Sequence, residues 1–254
     1  MRVHLTRDLG RFSAIFLFLG ETTVDMDFDK HSSTYDEDLE KGLVLSGESA
    51  SYFANGRVDS VKCYLDSKNQ RIESIIEFGC GSGNNIHFLR KYFPQAWICG
   101  LDLSSKSMSV CKKRYAADDQ ISVEEIALHS PPPPVDLVFV NGVFHHIHPE
   151  DHGVNLDYIQ SILKPGGLLV IFENNPFNPG ARWVMSRIPF DQDAVMVNPF
   201  HLLKQITSRN FVGSFLNFFF IFPKILAGLR RFEKRFINLP IGAQYGLFTH
   251  KRHN

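Results

Sequence analysis

Two acids flanking a glycine turn are the residues of this chain best suited to hold a charged ligand. Ile75-Ile76-Glu77-Phe78-Gly79-Cys80-Gly81-Ser82-Gly83-Asn84-Asn85 reads as a short apolar strand, an acid, then a Gly-x-Gly-x-Gly turn. Alternate glycines let a backbone turn sharply and approach a ligand to van der Waals distance. Asn85 to Phe93 has helical spacing (Ile86, Leu89, Phe93), so the turn lies between a strand and a helix N-terminus. A second strand, Trp97 to Leu101, runs into Asp102. An acid at the tip of the next strand is where a nucleoside ribose presents its two hydroxyls.

Glu-Phe-Gly-Cys-Gly-Ser-Gly followed by Gly-Leu-Asp-Leu-Ser resembles the signature of class I S-adenosylmethionine-dependent methyltransferases. The competing reading is a dinucleotide oxidoreductase, whose Gly-x-Gly-x-x-Gly turn places a pyrophosphate on the helix N-terminus. Here the sixth position is Asn84. Glu77 would repel a phosphate but suits an ammonium group, which S-adenosylmethionine carries. The resemblance spans roughly residues 28–250. It includes Asp136-Leu137-Val138 and Leu163-Lys164-Pro165-Gly166-Gly167-Leu168-Leu169, which look like the fourth- and fifth-strand motifs of that family.

The expected cofactor residues are Glu77, Gly79, Cys80, Gly81, Ser82, Gly83, Asp102, Leu103, Glu125, Asn141 and Gly142. The cofactor is S-adenosyl-L-methionine, with S-adenosyl-L-homocysteine as product. Family members usually hold the adenine amine with an Asp just after the next strand. This chain has Ile126 or Ala127 there, which leaves Glu125 as the candidate. Asn141-Gly142 should line the methionine end. His145 and His146 are candidates for a general base, histidine being titratable near neutrality. The alternative is that they order the loop, as His-His pairs often do in this family. His145 and His148, three apart, could share a helical face. No metal is expected. Tyr35, Asn174, Asn175 and Arg182 are candidates for substrate contact, with Trp183 and Arg187 nearby. A catalytically idle cofactor-binding module is the alternative to an enzyme.

Elements that would position these residues alternate along the chain. Strands are expected at 74–78, 97–101, 121–126, 135–140 and 168–172, with helices at 84–93, 104–117 and 155–163. Leu163 to Gly167 reads as a tight turn. Pro131 to Pro134 enforces an extended linker. This implies an α/β, Rossmann-like, doubly wound sheet with helices on both faces. The family adds a C-terminal antiparallel hairpin, here Phe211–Phe222 and Gly242–Lys251, for seven strands, mostly parallel. A single domain over 26–254 is expected. It would carry a helical cap over about 30–70 and a C-terminal insertion over about 223–240. Residues 1–25 read as an extension outside the fold, with Met26 as an ordinary start.

Of 254 residues, 44% are hydrophobic and the net charge is zero, so no nucleic-acid footprint is expected. Four cysteines (Cys63, Cys80, Cys99, Cys111) without paired spacing suit a reduced, cytoplasmic protein. Neither phenylalanine-rich stretch, 12–18 or 211–222, approaches the ~20 apolar residues a membrane span needs. With the basic cluster behind it, 211–235 could offer peripheral membrane contact and suit an apolar or lipid-linked small-molecule substrate; the competing reading is that its aromatics pack within the sheet and under the insertion.

Overall fold

The computed structural model describes residues 42–126, 133–188 and 194–253. Tyr35, Ala127, the 1–25 extension, the first part of the cap and Pro131-Pro132 lie outside them. Helix α1 (Ala50–Ser67) starts where Ser49 accepts the Tyr52 N–H, an N-cap that satisfies one orphan donor. It precedes β1 (Ser74–Phe78), α2 (Ile86–Tyr92), β2 (Trp97–Asp102), α3 (Ser105–Arg114) and β3 (Ile121–Glu125). Then come β4 (Val135–Asn141), α4 (His152–Ser161), β5 (Leu163–Asn174), α5 (Pro179–Met185), α6 (Pro199–Thr207), β6 (Phe211–Phe219) and β7 (Gln244–Lys251).

The strands form one sheet in the order β3-β2-β1-β4-β5-β7-β6. β1 through β5 run parallel, and β7 is antiparallel to both β5 and β6. Such a sheet is covered on both faces, so its central strands are almost wholly apolar. One core packs α4 and α6 (Leu156, Ile159, Leu202, Ile206) against the sheet. The other packs α1, α2 and α3 (Val58, Val61, Leu89, Met108) on the opposite face.

The structure adds to the sequence reading at three places. Leu163 to Gly167 belongs to β5 rather than to a separate turn. Leu163 pairs with Val135 and Leu168 with Leu137, so the extra residues form an irregularity around Gly166, at φ 76°. Helix α6 was not foreseen, although Asn198 caps Phe200 and His201 and Pro199 opens the first turn. The aromatic run of β6 is packed rather than presented. Phe218 is buried, Phe215 stacks on Phe248 at 5.0 Å, and Phe220 lies edge-on to Phe53 at 4.9 Å.

Between β6 and β7, Lys224–Arg235 forms 3-10 turns kinked at Leu226 (φ −107°, ψ 22°).

Candidate functional site

Parallel register brings the strand tips together. Phe78 lies opposite both Leu101 and Val140, and Asp102 opposite Glu125. The glycine turn after β1, Asp102 at the end of β2, Glu125 at the end of β3 and Asn141-Gly142 at the end of β4 therefore share one edge. Ligands of open α/β sheets bind outside such an edge.

The three glycines differ in what they do. All have positive φ, at 74°, 52° and 83° for Gly79, Gly81 and Gly83. A Cβ on Gly79 would lie 2.3 Å from Val143 Cγ2, and one on Gly83 2.6 Å from Cys111 Sγ. Those two are required by packing inside the protein. A Cβ on Gly81 would meet nothing within 4 Å, so its backbone faces open space. The turn is fastened to β2: Leu101 O accepts from Gly79 N (2.8 Å) and Cys80 N (3.0 Å), and Asp102 Oδ2 accepts from Gly81 N at 2.7 Å. Asp102 Oδ1 accepts from Ser104 N at 2.9 Å. Burial raises the Asp102 pKa despite the lowering by the N–H groups of Ser104, Gly81 and Leu103.

Cys80 turns its side chain into the core. Its thiol is buried, and a Cβ on Gly100 would lie 2.8 Å from the sulfur. Contact with Cys111, then burial, holds this thiol well above its ordinary pKa.

Beneath the turn, Glu77 is 1% exposed. Oε1 accepts from Asn85 Nδ2 at 2.7 Å, and Oε2 has no partner among the described residues. Burial pushes its pKa up to about 8, against the lowering by the Asn85 hydrogen bond. The Ser82 hydroxyl is likewise buried and partnerless among them. Native interiors rarely leave such atoms unpaired. A buried carboxylate oxygen without a donor, beside a backbone facing open space, fits a ligand that brings an ammonium group.

A network unforeseen from the sequence supports Glu77. Arg57, buried on α1, donates through Nη2 to Asn85 Oδ1 and through Nη1 to Gln244 Oε1, both at 3.0 Å. Gln244 donates to Asn174 Oδ1 at 3.2 Å. The sequence signal was available: Arg57 falls on the stripe Phe53, Ala54, Val58, Val61, Leu65, where a charged residue is out of place.

Glu173, at the end of β5, is 1% exposed and also unforeseen. Oε1 accepts from Val143 N (3.0 Å) and Phe144 N (2.7 Å), and Oε2 contacts His145 Nδ1 at 2.5 Å. His145 is buried, its ring 4.1 Å from that of His146. Gly142 borders it: a Cβ there would lie 3.4 Å from His145 Cε1. The shared helical face for His145 and His148 does not form. The short 3-10 turn ends at His146, Ile147 is extended (ψ 132°), and His148 is exposed. Among the described residues, no group of three or more His, Cys, Asp or Glu side chains is placed to hold a metal ion.

Of the substrate candidates, Asn174 is partly buried and Arg182 is exposed on α5. Asn175 is a brace rather than an exposed donor. It is fully buried, donating to Pro240 O (3.0 Å) and Gly242 O (2.8 Å) and accepting from Phe177 N (3.1 Å). Arg187 stacks on Trp183 at 5.1 Å.

Residues 76–169 match the family model described as a methyltransferase domain. That match, over a little more than a third of the chain, supports a class I S-adenosylmethionine-dependent methyltransferase. It is 28% identical over 118 residues to a trans-aconitate 2-methyltransferase of Rhodopseudomonas palustris, covering 46% of this chain and 45% of that one. It is 27% identical over 149 residues to a malonyl-[acyl-carrier protein] O-methyltransferase of Ilyobacter polytropus, covering 58% and 52%. The chain thus spans about half the length of the curated relatives it matches. A solved structure from Thermotoga maritima, described as a possible histamine N-methyltransferase, superposes with TM-score 0.62 at 16% identity, over 90% of this chain and 100% of that one. At that identity the likeness is one of fold. Members of this family use S-adenosylmethionine, whose amino group and ribose match the two acids at this edge in chemical type.

Proposed function

We propose that this chain moves the methyl group of S-adenosylmethionine directly onto a small-molecule acceptor. The observation that carries the reading is the meeting of three features at one sheet edge: the open backbone of Gly81, the Asp102 carboxylate and the unpaired oxygen of Glu77. In this reading Asp102 accepts the ribose hydroxyls and Glu77 holds the α-amino group. The backbone of Gly79 to Gly83 lies along the ligand, with Leu103 and Glu125 beside the adenine and Asn141 and Gly142 at the methionine end.

Bound S-adenosylmethionine supplies a methyl group already activated by its sulfonium. The protein has to align a nucleophile, exclude water and remove a proton. His145 is the base. With Nδ1–H committed to Glu173, Nε2 takes the proton from the acceptor. Glu173 is a positioning residue, fixing the ring and favouring the protonated form. His146 packs on the ring.

The acceptor approaches beside Asn174 and α5. The named relatives act on trans-aconitate and on a malonyl thioester, both carrying carboxylates. Exposed Arg182 and Arg187 support an anionic acceptor here too.

Incubation with methyl-labelled S-adenosylmethionine and a small-molecule extract tests the reading. Label should enter a small molecule only with active protein, and the Asp102→Ala variant should abolish it. Cofactor binding without any transfer across such extracts would favour an idle cofactor-binding module.

A further inference from the structure

The insertion Lys224–Arg235 leaves none of its residues buried, and Ile225 is 90% exposed. A 3-10 helix repeats every three residues, which sorts the side chains into three rows. Past the kink at Leu226 (φ −107°, ψ 22°), Ala227, Arg230 and Glu233 share one row, and the last two turn inward. Arg230 pairs with Glu48 at 2.8 Å, stacks on Tyr52 and donates to Phe222 O. Glu233 accepts from Phe222 N at 2.9 Å. The only acid of the segment is thereby consumed within the fold.

The exposed side chains of the segment divide along its length. Ile225, Leu226 and Leu229 expose apolar surface in the first half, continued beyond the helix by Phe236 and Leu239. Exposed Arg231, Lys234 and Arg235 occupy the second half, with Arg231 and Arg235 stacked on Phe232. Outward charge on this segment is wholly positive, on a chain whose net charge is zero. Apolar side chains beside cations that have no acid partner among the described residues match an anionic phospholipid surface: the apolar group enters the headgroup boundary and the cations meet the lipid charge. A polyanion without an apolar phase would leave Ile225 and Leu229 in water.

The segment is also joined to the mouth of the site. Asn175 and Asn178 donate to the carbonyls of Pro240, Ile241 and Gly242, just past the insertion. We propose that Lys224–Arg235 with its apolar continuation docks this protein on anionic membranes, with the acceptor side of the site next to the bilayer. Vesicle binding requires no cofactor, so the proposal stands apart from the methyl-transfer reading.

Co-sedimentation with phosphatidylcholine vesicles, with and without phosphatidylglycerol, tests it. The full chain should sediment with the anionic vesicles, less so at high salt. The charge reversal R231E/K234E/R235E and the apolar replacement I225E/L229E should each weaken partitioning by ~10-fold or more. Both should keep S-adenosylhomocysteine affinity, which reports an intact fold. The single Leu229→Ser variant gives a milder reading if the doubles fold poorly. A full chain that stays in the supernatant overturns the proposal. So do variants that bind vesicles as well as the parent, or a lipid-free dimer that the same variants dissolve.

Discussion

The Asp102 carboxylate accepts the backbone N–H of Gly81 at 2.7 Å across 21 residues of chain. One acid thus both shapes the glycine turn and borders the space the turn leaves open. Its other oxygen is held by Ser104 N, so the carboxylate is oriented before any ligand arrives. Such preorganisation lowers the cost of ordering the site on binding.

Glu77 makes cofactor binding pH-dependent. Its pKa of about 8 in the free protein lies above the ordinary 4.5 because burial opposes the charge. An ammonium ligand favours the carboxylate, so binding at neutral pH releases a proton. Affinity for S-adenosylhomocysteine should rise with pH, by up to ~10-fold per unit, and level off above about 8. The same shift contributes stability to the free protein that is present below about 4.5 and lost as pH rises through about 8. The Glu77→Gln variant should flatten both profiles and bind roughly 10- to 100-fold more weakly, the worth of a charge-assisted hydrogen bond. Calorimetry in buffers of different ionisation enthalpy counts the protons; none released by the parent would refute the assignment.

Two glycine substitutions should separate folding from binding. Gly79→Ala places a methyl 2.3 Å from Val143 Cγ2 at φ 74°, and should destabilise by ~2–5 kcal/mol. Gly81→Ala meets no atom within 4 Å. It should cost only ~1–2 kcal/mol for its left-handed backbone, yet lose S-adenosylhomocysteine. Thermal melts with and without ligand show the difference. A Gly81→Ala variant that still gains stability from ligand as the parent does would move the cofactor elsewhere.

Glu173→Gln should reduce turnover by ~100-fold or more while cofactor affinity stays within ~3-fold. The amide can still accept the Val143 and Phe144 N–H groups, but it stabilises the His145 imidazolium poorly. The acidic limb of kcat/KM against pH should shift accordingly. Cofactor affinity and turnover falling together would make Glu173 only a brace for the turn.

The parallel core was legible because each strand is short, apolar and followed by a helix-spaced segment. Glu77, Asp102 and the glycines were legible because their types and spacing are local. Arg57, Glu173 and Gln244 were not, because their partners lie far along the chain: Arg57 bonds to Asn85 and Gln244, and Glu173 reaches back to residues 143–145. Phe215 to Phe222 suggested a lipid surface by composition alone. Their packing against Phe248, Phe172 and α1 moves the exposed apolar surface to the insertion.

Titration calorimetry of the parent and of Asp102→Ala with S-adenosylhomocysteine is the most direct measurement. The parent should bind one equivalent, and Asp102→Ala should lose at least ~100-fold in affinity while remaining folded. A parent without binding heat at any temperature, or an Asp102→Ala variant within a few-fold of it, would contradict the account.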